Sequence, residues 1–104
     1  MDINIENTTF IIVTYKSEKI VHGCIDTLPE NSNKIVIENS QNLQLKKNLE
    51  STYKNLKVLI NENSGFGASN NLGIKECNTQ FAYILNPDVT FNKDTFDNLC
   101  KSCL

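Results

Sequence analysis

Short apolar runs alternate along this chain with longer stretches whose apolar residues recur every three or four positions. Thr9-Phe10-Ile11-Ile12-Val13-Thr14-Tyr15 is unbroken β-branched and aromatic sequence. It predicts a strand buried on both faces. Ser17 then stands as a candidate helix N-cap, and Ile20, Val21, Cys24, Ile25 and Leu28 fall on one helical stripe that Pro29 ends. Residues 34–38 make a second short strand closing on the acid Glu38, followed by Asn39-Ser40. Leu45, Leu49 and Tyr53 recur at every fourth position, a helix with a polar outer face. Leu56–Ile60 and Phe81–Leu85 read as the third and fourth strands. Asn92 is placed to cap a last helix in which Phe96, Leu99, Cys100 and Cys103 share a face.

This β-α-β-α-β-α-β-α order predicts an α/β fold: a Rossmann-like parallel sheet of about four strands flanked by helices. With 104 residues and no internal repeat, low-complexity tract or linker, the chain is read as a single domain over residues 1–104.

The chemistry concentrates between the third and fourth strands and just after the fourth. Asn63-Ser64-Gly65-Phe66-Gly67-Ala68-Ser69-Asn70-Asn71-Leu72-Gly73-Ile74 breaks from a strand through a glycine pair into a helix of small residues and amides. Glycines let backbone approach a ligand closely, and a helix start offers unpaired N–H groups to anions. The fourth strand runs into Asn86-Pro87-Asp88, which sets a carboxylate beyond a strand's C-terminal end, where open α/β sheets bind ligands. Together these read as a crevice for a phosphorylated ligand, with a carboxylate to hold a divalent metal. Taken singly, the glycines also suit a tight turn, the asparagines a solvated helix face and Asp88 an ordinary turn.

Composition narrows the field. A net charge of −2 and 39% apolar residues fit a soluble globular chain and argue against a nucleic-acid partner. All ten basic residues are Lys, so phosphate contacts must come from Lys, backbone N–H groups or metal and not from an Arg fork. The first strand is followed by Lys16-Ser17 without glycine, which excludes a dinucleotide fingerprint, and no P-loop string occurs. The acidic residues of a phosphoacceptor receiver domain are missing from the end of strand one. No apolar run reaches the length of a membrane span and no signal peptide opens the chain, so a cytoplasmic location is expected, with free thiols at Cys24, Cys77, Cys100 and Cys103. The Cys100-Lys101-Ser102-Cys103 pair lies at the chain's tail, after several turns of the predicted last helix and not at a helix start, so it is read as buried or frayed thiols. His22, beside the apolar stripe of the first helix, is read as a surface histidine.

Four strings in order, Ile12-Val13-Thr14-Tyr15-Lys16-Ser17, Val36-Ile37-Glu38-Asn39-Ser40, the 63–74 stretch and Leu85-Asn86-Pro87-Asp88, give the chain a resemblance to the front half of a family 2 glycosyltransferase. It most resembles the rhamnosyltransferase-like branch. The resemblance implies the N-terminal, nucleotide-sugar-binding half of a GT-A fold, with strand order 3-2-1-4. It implies that Thr14 and Tyr15 line the base and ribose pocket, and that Glu38, where the family usually has Asp, accepts the imide N–H of uracil or thymine. Gly67 would let the backbone pass the nucleotide, and Asn70 and Asn71 would offer amides to ribose or phosphate. Asn86 replaces the first Asp of the family's DxD motif, and Asp88 would bind Mn²⁺ or Mg²⁺ bridging the phosphates.

The same resemblance implies a UDP- or dTDP-sugar donor and inverting transfer to an acceptor hydroxyl. The family's catalytic unit is about twice this length, and no residue here matches its base. The expectation is therefore a donor-binding portion, inactive in transfer by itself. The alternative is a non-catalytic nucleotide-binding or interaction module on the same half-fold. Phe81–Leu85 then lies at a sheet edge without charge or proline, so a homodimer is expected, unless the last helix folds back over it.

Overall fold

The computed structural model describes residues 3–62, 65–92 and 94–96. In chain order they form β1 (Thr8–Thr14), α1 (Val21–Asp26), β2 (Asn33–Glu38), α2 (Leu43–Thr52), β3 (Leu56–Ile60), α3 (Phe66–Glu76) and β4 (Phe81–Leu85). The strands make one parallel sheet in the order β3-β2-β1-β4, as expected from the alternation of strands and helices. β1 is central and pairs along its length with β2 on one side and β4 on the other. Every residue of β1 is buried, which is why its sequence is continuously apolar or β-branched and does not alternate.

Two apolar layers sandwich the sheet. Phe10, Ile12, Val36, Val58 and Leu85 point to the side covered by Val21, Cys24 and Ile25 of α1 and Leu45 and Leu49 of α2. Ile11, Val13, Ile35 and Ile37 point to the other side, where Leu59 of β3 and Leu72 of the third helix, α3, complete the layer. Phe10 gathers Tyr83, Phe91 and Phe96 at ring separations of 5.6, 5.1 and 5.9 Å, an aromatic knot that ties β4 and the segment after it to β1. Sequence periodicity identified Phe96 as core but not Phe91, which lies outside any regular element.

Helix starts differ from one another. Asn42 caps α2 by accepting the Leu45 N–H at 2.9 Å. Ser17, expected to cap α1, does not: its hydroxyl spans the Tyr15 N–H and C=O, both at 3.1 Å, and a turn intervenes before α1 begins. Asn92 accepts the N–H groups of Asp94 and Thr95, the expected cap of the last helix, of which 94–96 are described. The Cys100 and Cys103 pair lies outside the described residues, while Cys24 and Cys77 are free thiols. At the amino end of the sheet Lys34 is buried, its ammonium donating to the carbonyls of Glu30, Ser32 and Lys54 at 2.8 to 3.0 Å. Burial lowers its pKa, and three carbonyls hold it in place of solvent. Among the described residues no helix is long and apolar enough to cross a membrane.

Candidate functional site

The carboxyl ends of β1, β2 and β4 meet at one side of the sheet because parallel strands all point there. Their loops enclose an open pocket of about 490 Å³. β1 contributes Thr14 and Tyr15, the turn before α1 contributes Ser17 and Ile20, and β2 contributes Asn39. Gly65 and the Asn86-Pro87-Asp88 turn complete the lining. Of the residues singled out from sequence, Thr14, Tyr15, Asn86 and Asp88 thus share one cavity. Glu38 lies beneath it, and Gly67, Asn70 and Asn71 follow along α3 outside the lining.

Tyr15 is half exposed, with the Lys16 ammonium 5.4 Å from its ring centre. A ring presented this way at a pocket rim can stack on a base. Thr14 is fully buried at its foot, and its hydroxyl donates to Glu38 Oε1 at 3.1 Å. Lys16 adopts φ 51° and gives its N–H to Ser40 Oγ, which pins the β1 loop to the β2 loop.

Glu38 is fully buried and its two oxygens are fully engaged. Oε1 accepts from Thr14 Oγ1 and, at 2.8 Å, from Ser40 Oγ. Oε2 accepts the N–H groups of Ser40 at 3.1 Å and Asn42 at 2.7 Å. The carboxylate therefore organises the loop between β2 and α2, and an imide N–H reaching it must displace one of these donors.

The next residue, Asn39, was not assigned a role from sequence, yet it joins three elements. Its backbone N–H donates to Thr14 O at 2.9 Å, its Nδ2 donates to Ser69 Oγ at 2.9 Å, and its Oδ1 accepts from Asn61 Nδ2 and Ser69 Oγ. Ser69 is itself fully buried. This network fixes α3 against the ends of β2 and β3. An Asn directly after the strand-terminal acid was the only available signal, and in an Asn-rich chain it is weak.

Gly65 takes φ 94° and ψ 163°, a conformation open to glycine, and so turns the chain into α3 without a side-chain cap. The first N–H groups of α3 consequently lack the usual capping oxygen. One turn on, Asn70 Oδ1 is buried with no hydrogen-bond partner among the described residues. Asn71 is exposed.

On the other side of the pocket Asn86 C=O accepts Val89 N–H at 3.1 Å, closing a turn that holds Asp88 exposed at its corner. Cys24 of α1 supports that turn from beneath, its thiol 3.7 Å from Asn86 O. Burial, and then the charge of Asp88, push the Cys24 thiol up to about 11, so it stays protonated. Among the described residues Asp88 makes no ion pair, and no group of three or more His, Cys, Asp or Glu side chains assembles into a metal cage. One free carboxylate nonetheless suits Mg²⁺ or Mn²⁺, which bind through one or two carboxylates together with the phosphates of a substrate.

His22 and Tyr53 form a separate polar bridge on the outer side of α1 and α2. Tyr53 Oη donates to Asp26 at 2.7 Å and meets His22 Nδ1 at 3.1 Å. It joins two helices and lies away from the pocket lining.

The arrangement of pocket and sheet has counterparts among known proteins. S. aureus TarS (residues 1–349) superposes with a TM-score of 0.70 at 24% identity, covering 91% of this chain and 31% of that one. A second S. aureus TarS structure gives 0.69 at 24% identity, over 91% of this chain and 19% of the other. This chain therefore spans less than a third of the length of either, and the likeness extends to the fold of that N-terminal GT-A part. No curated protein sequence matches the chain. The sequence profile of glycosyl transferase family 2, by contrast, matches residues 9–102, from the start of β1 to beyond β4, and the chain belongs to that family.

Proposed function

We propose that this chain is the donor-binding portion of a sugar transferase, taking the nucleoside diphosphate of a UDP- or dTDP-sugar for metal-assisted, inverting transfer to an acceptor hydroxyl. The observation that carries this reading is the convergence of Tyr15, Thr14 and Asp88 from two neighbouring strand ends on one pocket. Within the family, the strings around Glu38, 63–74 and Asn86-Pro87-Asp88 resemble the rhamnosyltransferase-like branch.

In this reading the base stacks at Tyr15 above Thr14, with Glu38 reached only by exchange with one of its present donors. The diphosphate lies toward Gly65 and the first turn of α3, whose uncapped N–H groups favour an anion. Gly67 keeps that turn free of side-chain bulk, while Asn70 and Asn71 supply amides to ribose or phosphate. Asn86 flanks the phosphates and Asp88 would hold Mn²⁺ or Mg²⁺. Such an ion, when bound, supplies Lewis-acid stabilisation of the departing diphosphate.

Calorimetric titration of UDP with and without Mn²⁺ tests the reading. Binding of about −5 to −6 kcal/mol, a Kd of ~100 μM, is expected with the metal, and Asp88→Asn should abolish the metal's contribution. Binding indifferent to both metal and Asp88 would leave a nucleotide-binding module without metal assistance. No binding of UDP or dTDP would sink the donor-site reading altogether.

A further inference from the structure

The pocket is poor in positive charge for a phosphorylated ligand. Among the described residues its lining carries one charged side chain, the Asp88 carboxylate, and the Glu38 carboxylate lies beneath it. The chain has no arginine to offset them. A diphosphate entering there meets like charge, and one divalent ion at Asp88 balances only part of it.

A second cation is called for, and the described lysines narrow the choice. Lys34 is buried on three carbonyls at the amino end of the sheet. Lys46, Lys54 and Lys57 are paired with Glu50, Glu30 and Glu76. Lys16 makes no ion pair among the described residues, and its ammonium stands over the ring of Tyr15, a residue of the lining.

Lys16 is also held in an unusual way. Its backbone adopts φ 51°, a left-handed conformation that glycine and asparagine take at lower cost than lysine. Its N–H donates to Ser40 Oγ at 3.1 Å, which fixes this geometry between the β1 and β2 loops. The side chain therefore leaves a fixed anchor at the pocket rim, while the residue is exposed and its ammonium lies 5.4 Å from the ring centre. A cation–π contact at an exposed site is weak, so the cation can turn to an anion. A base stacking on that face of Tyr15 displaces the ammonium, and the phosphates arriving with the base offer it a stronger, charge-assisted partner.

On the donor-site reading proposed above, on which this rests, we infer that Lys16 binds the diphosphate. Its ammonium leaves the Tyr15 ring as the nucleotide enters and supplies the positive charge that the lining lacks. A lysine does this as a point charge and not as a bidentate fork, so it adds affinity for the anion while leaving its orientation to other groups.

Titrations of the full chain with UDP and with uridine, followed by NMR chemical shifts with Mg²⁺ present, test this. Lys16→Gln alters an exposed side chain and should leave far-UV circular dichroism unchanged. It should weaken UDP about tenfold and leave uridine unchanged. Lys16→Arg should keep UDP within about threefold of the unmodified chain. Raising the salt from about 0.05 to about 0.3 M should weaken UDP more for the unmodified chain than for Lys16→Gln. Equal losses of UDP and uridine affinity overturn the inference, since Lys16 would then act through the Tyr15 ring. UDP binding untouched by Lys16→Gln overturns it alone and leaves the donor site standing. No binding of UDP by the unmodified chain overturns both.

Discussion

Gly73 of α3 lies directly on Ile11 of β1: a Cβ at that glycine would sit 2.5 Å from Ile11 Cγ2. Ile11 is fully buried and β-branched, so the methyl cannot swing aside. Gly73→Ala should therefore destabilise the chain by about 1–3 kcal/mol despite the better helix propensity of alanine. At Gly67, the second residue of the same helix, nothing lies within 4 Å of the corresponding position. Gly67→Ala should be neutral or stabilise by about 0.5–1 kcal/mol. Urea unfolding of the two variants measures the contrast, and UDP titration of Gly67→Ala then tests whether that glycine matters for the ligand rather than for the helix.

Replacing Glu38 separates its two conceivable duties. A glutamine can present its oxygen to the Ser40 and Asn42 N–H groups and its amide nitrogen to the hydroxyls of Thr14 and Ser40. Glu38→Gln should thus cost no more than about 1.5 kcal/mol, whereas Glu38→Ala strands two backbone donors and should cost about 2–4 kcal/mol. If Glu38 also accepts a pyrimidine imide N–H, the glutamine variant loses nucleotide affinity at nearly full stability. Unchanged UDP affinity in Glu38→Gln would confine the residue to organising its loop.

The layout of the sheet was legible because burial on both faces leaves a plain trace. β1, β3 and β4 fall within a residue of where continuous apolar runs place them, and the order 3-2-1-4 accompanies the family resemblance. Pocket residues at strand ends were legible for the same reason: a parallel sheet brings Thr14, Tyr15, Asn86 and Asp88 together by topology alone. What escaped the sequence depends on side-chain geometry. Ser17 resembles a cap, yet its hydroxyl folds back on Tyr15. Asn39 resembles any other asparagine until Ser69 and Asn61 are seen around it. Glu38 carries the expected charge at the expected place, but whether it faces a ligand or its own loop is decided by four donors that no spacing reveals.

The two described thiols should differ in reactivity. Burial and the Asp88 charge raise Cys24, whereas at Cys77 burial alone would raise the pKa but hydrogen bonds from Thr79 and Thr9 outweigh it and lower it. Cys77 is also partly exposed. Iodoacetamide at neutral pH, followed by peptide mass mapping, should label Cys77 well before Cys24. Equal labelling would indicate that the turn over Cys24 opens readily.

Acid should act on the β3 edge of the sheet, where Glu50 of α2 accepts the Val58 N–H and Lys46 donates to the Val58 carbonyl. Glu50 has its pKa lowered chiefly by the Val58 N–H, with burial opposing and the Lys46 hydrogen bond and charge assisting. A carboxyl whose folded pKa lies below its unfolded value stabilises the fold fully above the unfolded value, ~4.3 for glutamate, and loses that contribution as pH falls through the folded one. Stability should therefore decline below about pH 4 in part through this group, and Glu50→Gln should flatten that part of the profile while lowering stability at neutral pH. The local consequence can be followed separately. Once Glu50 is protonated, the charge-assisted bond to Val58 N–H is gone and the Lys46 contact loses its ionic partner, so the β3 edge is left with a single cation over it. Amide exchange at Val58 should accelerate through that transition more than exchange at Val36, which sits between paired strands in the sheet interior. Parallel changes at both residues would mean that global unfolding, not the Glu50 contact, governs the acid response.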